Sequence, residues 1–524
     1  MQKVTNVIEK IDSIAQEHPD WIAYDYLGNT HTYGELKAFS DNLAAYILEQ
    51  NIMEQAPIMI YGGQTFEMVA AFLGAVKSGH AYVPIDRHSN PERLTMINEI
   101  AHPGMCIAIE DLPVSLDDLP ILEGQELSDV FANSQSVELD QAVTGDENYY
   151  IIFTSGTTGK PKGVQISHNN LLSFVNWQMD QFDLPDRPVT LSQPPYSFDL
   201  SVMDLYATLV LGGTLKAVPK TVTDNFKELF EILPTLGLNV WVSTPSFMDV
   251  CLLQPTFDAD HYPALSRFLF CGEELSHATA QALKQRFPEA RIFNTYGPTE
   301  STVAVSAIEI TDAVLEQNDR LPIGRLKPDM GGYIIDMDNN VVKAGNEGEL
   351  VIYGPAVSKG YINNPTKTNE VFFKYEGHPA YKTGDLVVMD QDGVLYYRGR
   401  TDFQIKLHGY RIELEEVNHY LNNDPLIKAG IAVPKYGKDQ KVAQLVAYVI
   451  PATDEYDSQI KLTVAIKDSL KANMMEYMVP NRFIFVEELP QTANGKIDIK
   501  SMIARVNSWC GQRHLTKTRL TFSC

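Results

Sequence analysis

The sequence predicts an α/β protein with a large N-terminal domain of mainly parallel sheets and helices, a β-rich end to that domain, and a small α+β C-terminal domain. Its 524 residues exceed what one compact core usually supports. Short apolar segments alternate with segments of helical periodicity, a pattern typical of parallel sheets covered by helices. Strand and turn signals then dominate after residue 348.

The first long helix is predicted after Thr32, whose hydroxyl can cap a helix N-terminus. Leu36, Phe39, Leu43 and Ile47 follow three or four residues apart, so one face of this helix packs against the protein. Short apolar runs with helical patterns between several of them predict buried strands. These runs are residues 57–61, 81–85, 149–153 and 240–242.

The β-rich end of the large domain is predicted from strands in residues 348–400, where Gln391-Asp392-Gly393 supplies a hairpin turn. The following residues contain strands and helices of their own, which indicates a separate small domain joined near Thr401-Asp402. The last residues continue no periodic pattern. The predicted boundaries are 1–400 for the large domain, 401–507 for the small domain and 508–524 for a disordered or non-native tail.

The composition is that of a folded globular protein, with 44% apolar and 21% charged residues. The formal net charge of −25 makes nucleic acid and anionic bilayers unfavourable partners. The sequence contains neither an apolar signal core nor an uncharged apolar stretch long enough to span a bilayer. Its five cysteines are scattered without metal-site spacing, which favours a reducing compartment. We therefore expect a cytoplasmic protein that is not inserted in a membrane.

A loop rich in glycine, hydroxyl groups and lysine follows the predicted strand at 149–153 and reads TSGTTGKPKG. Glycines permit positive φ, so successive N–H groups can point at phosphate oxygens, while hydroxyls and Lys160 or Lys162 add donors and charge. A flexible surface turn is the alternative, but the position directly after a buried strand favours phosphate binding. The candidate phosphate-binding residues are Thr154, Ser155, Gly156, Thr157, Thr158, Gly159 and Lys160.

This loop is neither of the two common nucleotide-binding motifs. Gly156 and Gly159 are three residues apart and Pro161 follows Lys160, so the pattern G-x-x-x-x-G-K-[ST] is absent. No G-x-G-x-x-G pattern follows a predicted strand here either. The nucleotide chemistry must therefore belong to another family.

The loop resembles the signature of the adenylate-forming (AMP-binding) enzymes, which include acyl-CoA synthetases, luciferases and the adenylation domains of peptide synthetases. Further stretches match that family in order: TYGELKAFSDNLA, SGHAYVPID, NTYGPTEST, GELVIYGPAVSKGYINNP, YKTGDL, YRGRTDFQIKLHGYRIELEEV, EYMVP and PQTANGKID. The sequence departs from the family pattern at His80, where glycine is usual, and at Asp498-Ile499-Lys500, where Asp-Arg is usual. Neither departure removes an expected functional group.

The resemblance implies the fold of adenylate-forming enzymes and a reaction in two half-reactions. A carboxylate first attacks the α-phosphate of ATP and expels pyrophosphate, and the resulting adenylate is then attacked by a thiol. The small domain is expected to rotate about a hinge at Asp402 between these steps, and a face near Gly409 to Arg411 to admit the thiol.

The resemblance also places ATP and Mg²⁺ against specific residues. Asp385 is expected to accept hydrogen bonds from the ribose hydroxyls, and Arg400 to approach the ribose or phosphate. Glu300 is expected to hold Mg²⁺, a cation that commonly uses one or two carboxylates together with phosphates. The other expected ATP-binding residues are Asn294, Thr295, Tyr296, Gly297, Thr299 and Tyr397.

Lys496, in the stretch ANGKID, matches the family's mobile catalytic lysine. Such a lysine is expected to contact both the substrate carboxylate and the α-phosphate, so that one charge aligns both reactants. Without the family context, a solvated turn lysine would be the ordinary interpretation of a lysine after Asn-Gly.

Asp199 matches the acid that amino-acid-activating members keep for the α-ammonium, because a buried acid facing an apolar pocket needs a cation. Asp204, five residues on, is assigned to an ordinary helical position. Cys271 and Val303 match pocket-lining positions and suggest a small apolar side chain; Cys271 is expected to pack rather than react. Together with Lys496 they form the expected amino-acid site.

Within the family, the sequence is most similar to free-standing members that load D-alanine on the phosphopantetheine thiol of a carrier protein for (lipo)teichoic acid modification. A separate carrier is expected because no carrier-type attachment serine follows the small domain. Activation of another small amino acid, such as L-alanine, glycine or serine, for peptide synthesis stays open because these residues do not fix chirality. A catalytically silent ATP-binding module is opposed by Lys496 and Glu300, and a fatty acyl-CoA ligase by Asp199.

Overall fold

The computed structural model describes residues 3–156, 160–437, 441–453, 456–490 and 498–508. The described residues divide into two compact units, of which the first extends to Arg411 and the second begins at Ile412. The predicted junction at Thr401-Asp402 lies within the first unit, because the segment that follows it is hydrogen-bonded to that unit. Of the predicted tail, residues 509–524 lie outside the described part of the chain.

Each of the four predicted apolar runs forms a strand, with ends within about one residue of the prediction. In the first unit the strands are β1 (Ile22–Tyr26), β2 (Asn29–Thr32), β3 (Ile58–Gly62), β4 (Tyr82–Asp86), β5 (Met105–Ala108), β6 (Ile121–Glu123), β7 (Asn148–Thr154), β8 (Lys162–Ser167), β9 (Val189–Ser192), β10 (Thr214–Ala217), β11 (Val240–Ser243), β12 (Arg267–Phe270), β13 (Arg291–Tyr296), β14 (Ser306–Glu309), β15 (Arg325–Leu326), β16 (Gly331–Ile335), β17 (Glu347–Tyr353), β18 (Phe372–Tyr375), β19 (His378–Met389), β20 (Leu395–Arg400) and β21 (Gln404–Leu407). The division between the units falls within β22 (Tyr410–Glu413), and the second unit continues with β23 (Ile427–Tyr436), β24 (Val442–Pro451) and β25 (Arg482–Phe485).

Most helices directly follow a residue whose side chain caps them. Thr32 caps the predicted first long helix in this way. Those of the first unit are α1 (Val7–Glu17), α2 (Tyr33–Glu49), α3 (Phe66–Lys77), α4 (Pro91–Ala101), α5 (Gly124–Phe131), α6 (His168–Gln181), α7 (Leu200–Val210), α8 (Lys220–Thr223), α9 (Phe226–Ile232), α10 (Pro245–Cys251), α11 (His277–Arg286), α12 (Asp312–Gln317) and α13 (Pro365–Val371). Those of the second unit are α14 (Leu414–Asn423), α15 (Gln459–Asn473) and α16 (Ile499–Ser508).

Two sheets among the described residues of the first unit are mainly parallel, as predicted. One runs in the order β15-β14-β13-β12-β11-β9-β10-β1-β2, with antiparallel strands at its ends. The other runs in the order β6-β5-β3-β4-β7-β8, with an antiparallel β7–β8 pair. The order β16-β17-β19-β18, with β20 paired to β19, forms an antiparallel sheet, which is the predicted β-rich end.

The main core joins both parallel sheets. Buried side chains of β1, β3, β7 and β11 belong to one hydrophobic cluster with those of α3 and α7. Every residue of α7 is buried, so this helix cannot shift without disturbing the core. Because α7 begins at Leu200, the core also fixes the position of the preceding residue, Asp199.

The second unit has the order β23-β24-β25, in which β23 is antiparallel to β24 and β25 is parallel to it. A separate apolar cluster holds α16 against β23 and β24. These elements match the α+β composition predicted for the small domain. No helix in the described parts of either unit is long and apolar enough to cross a membrane.

Candidate active site

Glu300 lies fully buried in the 3₁₀ turn Thr299–Ser301, shortly after the end of β13. The Tyr361 hydroxyl donates a hydrogen bond to its Oε1 at 2.8 Å, and Arg411 Nη1 donates to its Oε2 at 2.7 Å. Burial by itself would raise the pKa of this carboxyl, but the charges of Arg411 and Lys162 lower the pKa to about 2. Glu300 is therefore a carboxylate at neutral pH.

Asp385 forms a second buried cluster, because the pairing of β19 with β20 places it opposite Arg400. Arg400 Nη1 donates to Asp385 Oδ1 at 2.8 Å, and the Tyr296 hydroxyl donates to Oδ2. Arg400 also donates to both oxygens of Asp402, at 2.7 and 2.6 Å. Burial and the charge of Asp385 raise the pKa of Tyr397, which keeps that phenol neutral. The structure thus brings together five residues that the sequence assigned to ATP or the hinge.

The side chains of Asn294 and Thr295 bond to neighbouring backbone. Asn294 Nδ2 donates to the carbonyl of Pro322, and Thr295 Oγ1 donates to the carbonyl of Phe270, each at 2.8 Å. These bonds fix the end of β13, from which the chain turns at Gly297. A Cβ on Gly297 would lie 2.6 Å from backbone of the following loop, so only glycine fits there. The expected contacts of these residues with ATP stay predictions.

Asp199 directly precedes α7, where an aspartate commonly caps the helix, but its side chain makes no capping hydrogen bond. Burial raises the pKa of Asp199, a hydrogen bond from Thr299 and the charge of Lys406 oppose that rise, and the charge of Glu300 adds to it. Asp199 is therefore close enough to Glu300 for the two charges to interact. A cation beside Asp199 would stabilise its charged form.

Cys271 and Val303 are brought together by the structure. Cys271 Sγ lies 3.8 Å from the Val303 carbonyl oxygen, and both side chains are buried. Burial raises the pKa of the Cys271 thiol, which supports the predicted packing role. Thr302 and Val303 have φ values of 59° and 66°, which β-branched residues rarely adopt. The Thr302 hydroxyl bonds the Ala356 carbonyl at 2.8 Å and helps to hold this conformation.

Residues 404–411 contact the rest of the first unit through backbone as well as side chains. The Gly409 N–H donates to Glu273 Oε1 at 2.7 Å, and the Ser155 hydroxyl donates to the Arg411 carbonyl at 2.9 Å. Arg411, at the end of the face expected to admit a thiol, therefore lies beside both the phosphate loop and Glu300. No pattern in the sequence indicates a role for Glu273.

Only the two ends of the phosphate loop, up to Gly156 and from Lys160, belong to the described part of the chain. Thr154 ends β7, and its buried Oγ1 has no hydrogen-bond partner among the described residues. A Cβ on Gly156 would lie 2.1 Å from the Lys160 carbonyl oxygen, so a larger residue would not fit at this position. Phosphate binding by this loop stays a prediction. The predicted site residues outside the described part of the chain are Thr157, Thr158, Gly159 and Lys496.

Two family profiles match separate parts of the sequence. The family profile described as AMP-binding enzyme matches residues 11–362, and the profile for the AMP-binding enzyme C-terminal domain matches residues 420–496. A D-alanine–D-alanyl carrier protein ligase of Lactiplantibacillus plantarum is 59% identical over 505 residues, covering 96% of this chain and 99% of that protein. A protein of the same name from Streptococcus agalactiae serotype V is 52% identical over 509 residues, covering 96% of this chain and 100% of that protein.

A similar solved structure is the Vibrio cholerae adenylation domain AlmE in complex with glycyl-adenosine-5'-phosphate. Its TM-score is 0.81 at 24% identity, and the match covers 97% of this chain and 98% of that chain. At this identity the likeness concerns the fold, which agrees with the sheet order described above. With the family match over more than half of its length and close relatives over almost all of it, the chain belongs to the family of AMP-binding enzymes.

Proposed function

We propose that this AMP-binding enzyme activates D-alanine with ATP as D-alanyl-AMP, releases pyrophosphate, and transfers the D-alanyl group to the phosphopantetheine thiol of a separate carrier protein. The observation that carries the proposal is Asp199, an acid that precedes α7 without capping it. The charge of Asp199 interacts with that of Glu300. Relatives named D-alanine–D-alanyl carrier protein ligase, 49–59% identical over nearly the whole chain, support D-alanine as the substrate. Modification of (lipo)teichoic acid would be the use of the loaded carrier.

The proposed first step needs two anions to approach each other, so its barrier is lowered mainly by alignment and by neutralising charge. Asp385 has a carboxylate that can accept from ribose hydroxyls, and Arg400 supplies a cation beside it. Asp199 would bind the α-ammonium of the amino acid. The carboxylate of the amino acid would then point away from Asp199. Buried Cys271 and Val303 would leave room for a small side chain.

We propose that Glu300 supplies the carboxylate for a Mg²⁺ ion, which would take the place of Arg411 at one carboxylate oxygen. Glu300 is a buried carboxylate with a low pKa, and two cations, Arg411 and Lys162, already stabilise its charge. No group of three or more metal-binding side chains occurs among the described residues, so a metal here would rely on this one carboxylate and the ATP phosphates. When bound, Mg²⁺ would neutralise charge on the phosphates.

For the second half-reaction, we propose that a face near Gly409 to Arg411 admits the carrier thiol, and that Asp402 lies at the hinge. The hydrogen bonds of Gly409 and Arg411 to the first unit support this role. We place the enzyme in the cytoplasm, where ATP is available and where the free thiols found in the described residues stay reduced.

The test is ATP–pyrophosphate exchange with Mg²⁺ against D-alanine, L-alanine, glycine, D- and L-serine and a medium-chain fatty acid. Strong preference for D-alanine is expected, followed by thioester formation on a phosphopantetheinylated D-alanyl carrier protein but not on its apo form. Preference for an L-amino acid, glycine or an acyl chain would overturn the substrate. No exchange with any acid would overturn the activity.

Asp385→Asn is expected to raise the KM for ATP about 10- to 100-fold, because charged hydrogen bonds contribute more than neutral ones. The KM for the amino acid should change little, since the Asp385 cluster contacts Tyr296 and Arg400 rather than Asp199. Exchange kinetics with each substrate varied in turn measure both constants. Asp392→Asn, at an exposed hairpin position, is the control. An unchanged KM for ATP would contradict the role of Asp385.

Gly409→Ala is expected to lower thioester transfer about 100-fold while leaving pyrophosphate exchange nearly unchanged, because small misplacements of a reactive path are costly. The new Cβ would lie 2.5 Å from Thr244 Cγ2, at a φ of 84°. Gly393→Ala is a matched control, since Gly393 has a φ of 78° but a Cβ added there would meet no atom within 4 Å. Equal loss of both half-reactions would contradict a role confined to thiol entry.

A further inference from the structure

Three contacts besides the bond to Glu300 fix Tyr361. Its backbone forms an antiparallel bridge with Val164 of β8, the strand that follows the phosphate loop. Its own N–H bonds the Thr368 hydroxyl at 3.0 Å, and its ring packs edge-on against Phe372 at 5.4 Å. The side chain is 5% exposed, so neither the ring nor the hydroxyl can move freely.

The hydroxyl of Tyr361 and the guanidinium of Arg411 occupy different oxygens of Glu300. Arg411 is positively charged, so it would repel a metal ion that approached the oxygen it binds. Tyr361 is a neutral donor, and burial raises the pKa of its phenol well above the ordinary value. A metal bound at Oε2 would therefore have to displace Arg411. The hydrogen bond from Tyr361 to Oε1 could stay in place.

Lys162 lies on the same side of this cluster, with its Nζ 5.2 Å from the centroid of the Tyr361 ring. Its charge also lowers the pKa of Glu300. Tyr361 thus contacts the Glu300 carboxylate, Lys162 of the phosphate-loop motif, and β8, the strand that begins at Lys162. No function for this tyrosine follows from the sequence alone, although it lies within GELVIYGPAVSKGYINNP.

We propose that Tyr361 is a positioning residue, whose hydroxyl holds the Glu300 carboxylate in the orientation that binds the Mg²⁺ of ATP. The inference rests on the proposed function and extends it to a residue that does not itself contact the metal. Partners of this kind fix a ligand's orientation and typically change metal affinity about 10- to 100-fold when they are removed. A merely structural tyrosine would change stability without changing the metal dependence.

Tyr361→Phe keeps the buried ring and removes the hydrogen bond. We expect the Mg²⁺ concentration for half-maximal pyrophosphate exchange to rise about 10-fold, with the rate restored at high Mg²⁺ and the amino-acid KM unchanged. A second readout is Mn²⁺ affinity, measured by electron paramagnetic resonance with a non-hydrolysable ATP analogue, which should weaken by a similar factor. Tyr33→Phe is the matched control, because Tyr33 is equally buried and its hydroxyl bonds the Leu209 and Gly213 carbonyls instead.

An unchanged metal dependence and Mn²⁺ affinity in Tyr361→Phe would overturn the inference. If Tyr361→Phe lowers Tm more than Tyr33→Phe does, Glu300→Gln provides a second comparison. Adding Tyr361→Phe to Glu300→Gln should then leave the weakened Mn²⁺ affinity unchanged, whereas a further loss would mean that Tyr361 acts independently of Glu300. Failure of the proposed function is distinct, because the wild-type enzyme itself would then show no exchange with any acid.

Discussion

Lys496→Ala is expected to lower D-alanine-dependent pyrophosphate exchange about 1,000-fold, the loss typical when one preorganised group that stabilises transition-state charge is removed. The ammonium of Lys496 would contact the substrate carboxylate and the α-phosphate together, and no second group in its motif could replace it. Transfer from a supplied D-alanyl adenylate to the carrier should be affected much less, because that step forms no bond to the α-phosphate.

The two half-reactions are measured separately, by exchange and by thioester formation from synthetic adenylate. Lys500→Ala is the control, because Lys500 is an exposed lysine four residues on and its loss changes the net charge equally. Equal losses in both half-reactions would contradict the assigned role, since they would indicate a general defect. Retention of exchange would assign the alignment of the reactants to another cation.

The fold was predictable where local pattern determines structure. The apolar runs at 149–153 and 240–242 became β7 and β11, and the Thr32 hydroxyl caps α2. The pairing of Asp385 with Arg400 also follows from the hairpin turn at Gln391-Asp392-Gly393, because a hairpin brings residues before and after its turn into register. Each of these interactions joins residues that are close together in the sequence, so the sequence pattern indicates them.

The undetected features depend on contacts between residues that are distant in sequence. Tyr361 bonds Glu300, which lies 61 residues earlier, and an isolated tyrosine in a strand-rich segment has no pattern that indicates such a partner. Gly409 bonds Glu273 across 136 residues, which keeps residues 404–411 with the first unit, beyond the predicted junction. The positive φ of Val303 was also unpredictable, because β-branched residues normally avoid it.

Asp199→Asn is expected to raise the KM for D-alanine about 100- to 1,000-fold, because it removes one partner of a desolvated charge pair. The KM for ATP should change little. Asp204→Asn is a control in α7, the helix that Asp199 precedes. Asp204 is fully buried, and burial raises the pKa of Asp204 well above the ordinary value. Burial favours the neutral form of that carboxyl, so an amide should replace it with little change in charge.

The pH dependence distinguishes a charge partner from a residue that only shapes the pocket. Burial raises the pKa of Asp199, so its carboxylate is present above that raised pKa and is lost as the pH falls through it. As the pH is lowered, the wild-type KM for D-alanine should therefore rise. This rise should begin at a higher pH than it would if the acid were an exposed aspartate. Asp199→Asn should abolish that rise, because the amide does not titrate. If the variant kept both the wild-type KM and its pH dependence, the ammonium would have to bind elsewhere. Asp199 would then no longer support an amino-acid substrate.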